Sequence, residues 1–160
     1  MVGASCLVGV AAVTPEGLKA VYKDWNYSGE ALAQQLQKFR QHKVHVLGSF
    51  ICGLPTDRPA TFDATVEMAI KAGVTFAQFV MMTPFPGTVD FKRWEQQQSE
   101  SPTMVGGVPI TRYWLIPTEI RPKMFTPHPT MSSDEIRERT QKVWDRFYNW
   151  QAIWSRSACC

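Results

Sequence analysis

The sequence predicts an α/β fold built on three parallel strands, and three observations carry that reading. Apolar runs at residues 4–10, 44–52 and 75–82 are short and nearly continuous, as strands of a covered parallel sheet are. Segments with helical spacing of apolar residues separate them, which is the alternation of βα units with right-handed crossovers. Each run ends in a turn rich in glycine or proline, where a parallel sheet gathers its ligand-binding loops.

The first strand is Ala4 to Val10, and Thr14-Pro15-Glu16 follows as a helix start, with threonine as N-cap and proline in the first turn. Residues 29–41 form a helix with Leu32, Leu36 and Phe39 on one face, and Ser28 stands where a cap belongs. The second strand closes at Gly53-Leu54-Pro55. A helix over residues 60–72 then buries Phe62, Val66, Ala69 and Ile70, and Gly73 supplies its left-handed stop. The third strand breaks at Thr83-Pro84-Phe85-Pro86-Gly87-Thr88, and a short helix over 89–98 carries Phe91 and Trp94. Residues 100–129 hold six prolines and read as a long irregular connection packed over the sheet by Tyr113, Trp114, Leu115 and Phe125. Ser132 and Glu135 fit a capping box that opens the last helix. Ile136, Val143, Phe147, Trp150 and Trp154 make its apolar face, expected to dock on the core.

Composition bounds the function classes. The chain has 160 residues, 44% of them hydrophobic, enough for a core. The net charge of +3 is spread along helical stretches, which argues for a solvated surface and against a nucleic-acid footprint. No apolar run is long enough to span a membrane, and the uncharged first ten residues read as a strand rather than a leader, which places the chain in the cytoplasm. Cys6 and Cys52 sit in strand runs as ordinary buried thiols, and Cys159-Cys160 reads as a frayed tail. None of the four has metal-ligand spacing.

The polar inventory at the strand ends is thin: Glu16 and Asp24 after the first strand, Asp57 and Arg58 after the second. His42 and His45 flank a strand start, the wrong end of the sheet for catalysis, and His128 lies between two prolines. No catalytic triad, histidine cluster or paired carboxylate can be assembled. The residues alone give an α/β sheet with a small-molecule site at its strand ends and no nameable reaction.

The three strand ends taken together carry a resemblance. Val8-Gly9-Val10-Ala11-Ala12-Val13-Thr14-Pro15-Glu16, Gly48-Ser49-Phe50-Ile51-Cys52-Gly53-Leu54-Pro55 and Phe79-Val80-Met81-Met82-Thr83-Pro84-Phe85-Pro86-Gly87-Thr88 resemble, in order, the last three barrel strands of radical S-adenosylmethionine enzymes that carry a cobalamin-binding domain. Residues 127–148 resemble the helical tail after that barrel. The resemblance implies that residues 1–99 are the C-terminal half of a partial (β/α) barrel, truncated before its cluster motif, with residues 100–160 as an extension. It also implies radical chemistry, often cobalamin-dependent methylation, with S-adenosylmethionine and a four-iron cluster, acting on a small-molecule substrate. Gly9, Gly48, Ile51, Gly53, Phe79 and Thr83 would then line the cofactor site, with Ile51 and Gly53 on the adenine.

Two departures belong to that expectation. The ligands of the cluster and of cobalamin are not in this chain, so it would be inactive alone. Ala11 stands where such enzymes carry a glutamate, which weakens the expected cofactor site. Its expected partners are the missing barrel half or a second copy. The alternative reading is a non-catalytic interaction module that uses an exposed sheet edge. An unrelated small α/β enzyme is disfavoured, for want of an acid–base pair.

Overall fold

The computed structural model describes residues 4–157, Ser157 by its backbone alone; residues 1–3 and the Cys159-Cys160 tail lie outside the described residues. The elements run β1 (Ala4–Ala11), α1 (Pro15–Ala20), α2 (Gly29–Gln41), β2 (Val44–Cys52), α3 (Pro59–Lys71), β3 (Phe76–Met81) and α4 (Val89–Glu100). There follow β4 (Met104–Val105), β5 (Val108–Pro109), a 3₁₀ segment Ile110–Leu115, α5 (Ser133–Phe147) and α6 (Trp150–Ser157).

Local chemistry explains the boundaries. The Thr14 hydroxyl accepts from the Gly17 amide at 3.1 Å and opens α1. Ser132 does the same for α5, accepting from the Glu135 amide at 3.1 Å. Ser28 occupies the N-cap position of α2 without a side-chain bond. Gly73, at φ 67°, ends α3 in the left-handed conformation that glycine adopts without a Cβ clash.

The strands form a parallel sheet in the spatial order β1-β2-β3, as the short βα connections require. It is an open three-stranded sheet, and among the described residues it shows no barrel. One face is covered. Val10, Val46, Phe50, Ala77 and Phe79 point from the strands into a core shared with Leu32 and Leu36 of α2, Phe62 and Val66 of α3, and Ile136, Val143 and Phe147 of α5. Phe50 stacks on Phe79 at 5.2 Å, and Trp144 and Phe147 meet the Phe79 ring edge-on.

The opposite face differs from the expectation of strands buried on both sides. Leu7, Leu47 and Phe76 stand side by side in register across it, with Leu7 67% and Phe76 54% exposed. The two edges also differ. Along β3, the Tyr148 hydroxyl accepts from the Ala77 amide at 3.0 Å and donates to the Ala77 carbonyl at 2.8 Å. Trp144 Nε1 donates to the Phe79 carbonyl at 3.0 Å. Side chains of the last helices thus occupy the groups by which β3 would recruit another strand. Replacing Tyr148 with phenylalanine is expected to cost about 1–2 kcal/mol, because both Ala77 groups lose their partner, and urea unfolding reads that loss.

The C-terminal helix departs from the single amphipathic rod of the sequence reading. It ends at Phe147, and Asn149 opens a separate helix, its Oδ1 accepting from the Ala152 amide at 2.8 Å. Trp150 and Trp154 fall beyond this break and are exposed, not docked on the core as their spacing suggested. The long connection also contains structure that its prolines obscured. The β4–β5 hairpin turns on Gly106 and Gly107, both at positive φ, and the 3₁₀ segment seats Ile110 against Phe91 and Trp94.

Candidate functional site

The C-terminal ends of β1, β2 and β3 converge on a cavity of about 280 Å³. Its walls are apolar, from Ala11, Val21, Ile51, Val80, Met82, Pro84 and Phe85, with Lys23, Thr83, Thr88 and Asp90 as its polar groups. Such a chamber, apolar with a few placed polar groups at parallel strand ends, is the usual form of a small-molecule site.

Backbone irregularity shapes its floor. The β1–β2 register slips between Gly9 and Ala11, a bulge that re-aims the end of β1. Ala11 itself has φ 65°, and the Ala12 amide donates back to the Val10 carbonyl at 2.9 Å, closing a tight turn around it. A non-glycine residue held in the left-handed region stores strain of the kind found at functional sites. Lys23, arriving from the segment after α1, donates Nζ to the Gly9 carbonyl at 2.7 Å.

The turn after β2 is built around a buried carboxylate. Asp57 is 4% exposed, and its Oδ2 accepts from the amides of Gly53 at 2.8 Å and Leu54 at 3.0 Å. Burial pushes its pKa upward, opposed chiefly by the hydrogen bonds from those two amides. His128 locks the same turn from the long connection. Its Nδ1 accepts from the Thr130 and Met131 amides, both at 3.1 Å, so its Nε2 carries the proton and donates to the Leu54 carbonyl at 2.9 Å. Burial, and secondarily the Asp57 charge, push the Cys52 thiol up to about 12, which leaves it an unreactive core group.

The six residues singled out in the sequence take different places. Ile51 and Thr83 line the cavity, and the Gly9 carbonyl holds its lysine. Gly53 forms the turn beside it at φ 84°, where a Cβ would meet Ile136 at 3.0 Å and Met124 at 3.3 Å. Gly48 and Phe79 face the helices, Gly48 against the Phe50 ring and Val74, Phe79 in the aromatic cluster. Lys23 and Asp90 escaped the sequence reading because both lie in segments with no strand-end motif. Asp57 and His128 were visible as polar residues, but their joint locking of one turn depends on a 74-residue separation that only the fold closes.

Comparison with known proteins adds a chemistry to this geometry. The chain is similar to an uncharacterized methyltransferase of Pyrococcus horikoshii, 28% identical over 140 residues, covering 88% of this chain and 28% of the relative. It is also similar to the bacteriochlorophyllide d C-12(1)-methyltransferase of Chlorobaculum tepidum, 32% identical over 92 residues, covering 56% of this chain and 20% of that protein. The chain thus spans less than a third of the length of these curated relatives. No family model matches it.

These relatives correct the resemblance drawn from the strand ends. They are named for methyl transfer, and neither name carries a radical step, an iron–sulfur cluster or cobalamin. A methyl group can pass as an electrophile from a donor to a nucleophile, with no one-electron reduction for a cluster to supply. The expectation of a radical enzyme fragment dependent on a four-iron cluster and cobalamin is therefore corrected: what the comparisons support is likeness to proteins named as methyltransferases.

Proposed function

We propose that this chain forms the cofactor end of an S-adenosylmethionine-dependent methyltransferase acting on a small molecule, with the cofactor in the cavity at the strand ends. The observation that carries the reading is the composition of that cavity, taken with the methyltransferase names of both relatives. S-adenosylmethionine supplies a methyl group on a positively charged sulfur beside an adenosyl group and a zwitterionic amino acid.

The residues present suit each part. Ile51, Val80, Met82 and Phe85 offer apolar surface to a flat purine. Lys23 faces the same chamber with a cation for a carboxylate, and Asp90 with an anion for an ammonium or sulfonium. Thr83 and Thr88 add hydroxyls, each now donating to a backbone carbonyl of the same loop, Met81 and Phe85 respectively. Gly53, held by Asp57, and Ala11, strained at the floor, fix the backbone on two sides. Gly9, Gly48 and Phe79 support this site from the strands behind it.

The test is a pair of variants, one that fills the cavity and one that removes its anion. Ile51→Trp and Asp90→Asn are each expected to weaken S-adenosylmethionine binding at least about tenfold, with cooperative unfolding retained, since Ile51 is only partly buried. Unchanged affinity in both would remove the cofactor from this cavity.

A further inference from the structure

A second cavity lies at the opposite end of the sheet. It measures about 280 Å³ and is lined by Thr75, Phe76, Tyr148, Ile153 and Arg156. Its walls are apolar and aromatic, and its other polar groups are engaged. The Tyr148 hydroxyl serves both backbone groups of Ala77, and Thr75 Oγ1 accepts from the Val46 amide at 3.3 Å.

Arg156 is different. It is 7% exposed, and its guanidinium lies over the Phe147 ring at 3.8 Å. Its Nη2 donates to the Phe147 carbonyl at 2.7 Å, but Nε and Nη1 are buried without a hydrogen-bond partner, and among the described residues no carboxylate forms an ion pair with it. A buried cation with open donors is costly, because the charge has left water and nothing replaces the lost solvation. Ring stacking and one carbonyl compensate only part of that loss. The unmet requirement is for an anionic oxygen group, and the apolar walls beside it select what carries that group. A phosphate is more highly charged and hydrated than such walls accommodate. A single carboxylate on an apolar body fits both features.

We propose that this cavity is a binding site for an amphipathic carboxylate, whose apolar body lies against Phe76 and Ile153 and whose carboxylate neutralises Arg156. The site is separate from the cavity at the strand ends and does not rest on the methyltransferase reading. Occupancy would complete the hydrogen bonding of the α6 guanidinium and cover Phe76.

Octanoate titrated into the whole chain by calorimetry tests this, with octanol as a neutral probe of the same apolar body. Octanoate is expected to bind saturably at one site and at least about tenfold more tightly than octanol, the margin a charge-assisted hydrogen bond provides. Arg156→Gln should abolish that preference and Arg156→Lys should retain part of it. Arg156→Met should lose the preference while raising the unfolding midpoint, since an apolar side chain there removes an unpaired buried charge. Equal affinity for octanoate and octanol, or a preference that survives Arg156→Met, would overturn the proposal. If Arg156→Gln does not fold, the lysine and methionine variants still decide the matter.

Discussion

Replacing Asp57 with alanine is expected to cost about 3–5 kcal/mol, while replacing it with asparagine should leave neutral-pH stability within about 1 kcal/mol of the parent. One oxygen, Oδ2, accepts from both the Gly53 and Leu54 amides, so an asparagine carbonyl placed there can keep both bonds. Alanine leaves two buried donors unmet and a void beneath the turn. The sign of the pH effect follows from the raised pKa. The folded protein holds the Asp57 proton more tightly than the unfolded chain does, so between the two pKa values it binds more protons. This contribution to stability is fully present below the unfolded value of about 3.9 and is lost as pH rises through the folded value. The exposed Glu30 and Glu138 are shifted the other way, chiefly by hydrogen bonds from Lys71 and Lys142. Urea midpoints of parent and Asp57→Asn, compared from acid to neutral pH, therefore isolate Asp57: the parent should lose ground to the variant as pH rises. A parent that gains ground would mean the two amides outweigh burial.

The second large effect concerns association. The β3 edge is closed by Tyr148 and Trp144, whereas over residues 4–8 the outer edge of β1 has no such closure among the described residues. Pairing of β1 with β3 of another copy, which would propagate into a fibre, is blocked by those side chains. Pairing of β1 with its own copy is open and closes as a two-fold dimer. Sedimentation of the chain at increasing concentration is expected to show a monomer–dimer equilibrium. Leu7→Lys should shift its dissociation constant upward by at least about tenfold, because like charges meet near the axis. Species larger than dimers, or no response to Leu7→Lys, would contradict the assignment of that edge.

The parts of the fold that were legible in the sequence are those governed by local chemistry. Thr14-Pro15, Gly73 and Ser132 mark helix ends because caps and left-handed stops act within a few residues. The bounds of α2 and β2 follow the apolar pattern because their buried residues obey one period each. What was not legible depends on distant partners. The bare row Leu7–Leu47–Phe76 has the composition of covered strands, so only the exposure of these side chains in the fold reveals it. Trp150 and Trp154 keep helical spacing with Phe147, and a single cap at Asn149 defeats the inference. In the cavity at the strand ends, Ile51 and Thr83 could be named from strand ends, but Lys23 and Asp90 arrive from segments that carry no motif.

The central claim is that S-adenosylmethionine occupies the chamber between Ala11, Ile51 and Thr83. Backbone amide exchange of the chain with and without saturating S-adenosylmethionine tests it most directly. The expected result is slowed exchange at the three strand ends and in the loop of residues 83–88, with no change at Thr75, Phe76 and Ile153 around the far cavity. No protection at millimolar S-adenosylmethionine, or protection confined to the far cavity, would contradict it.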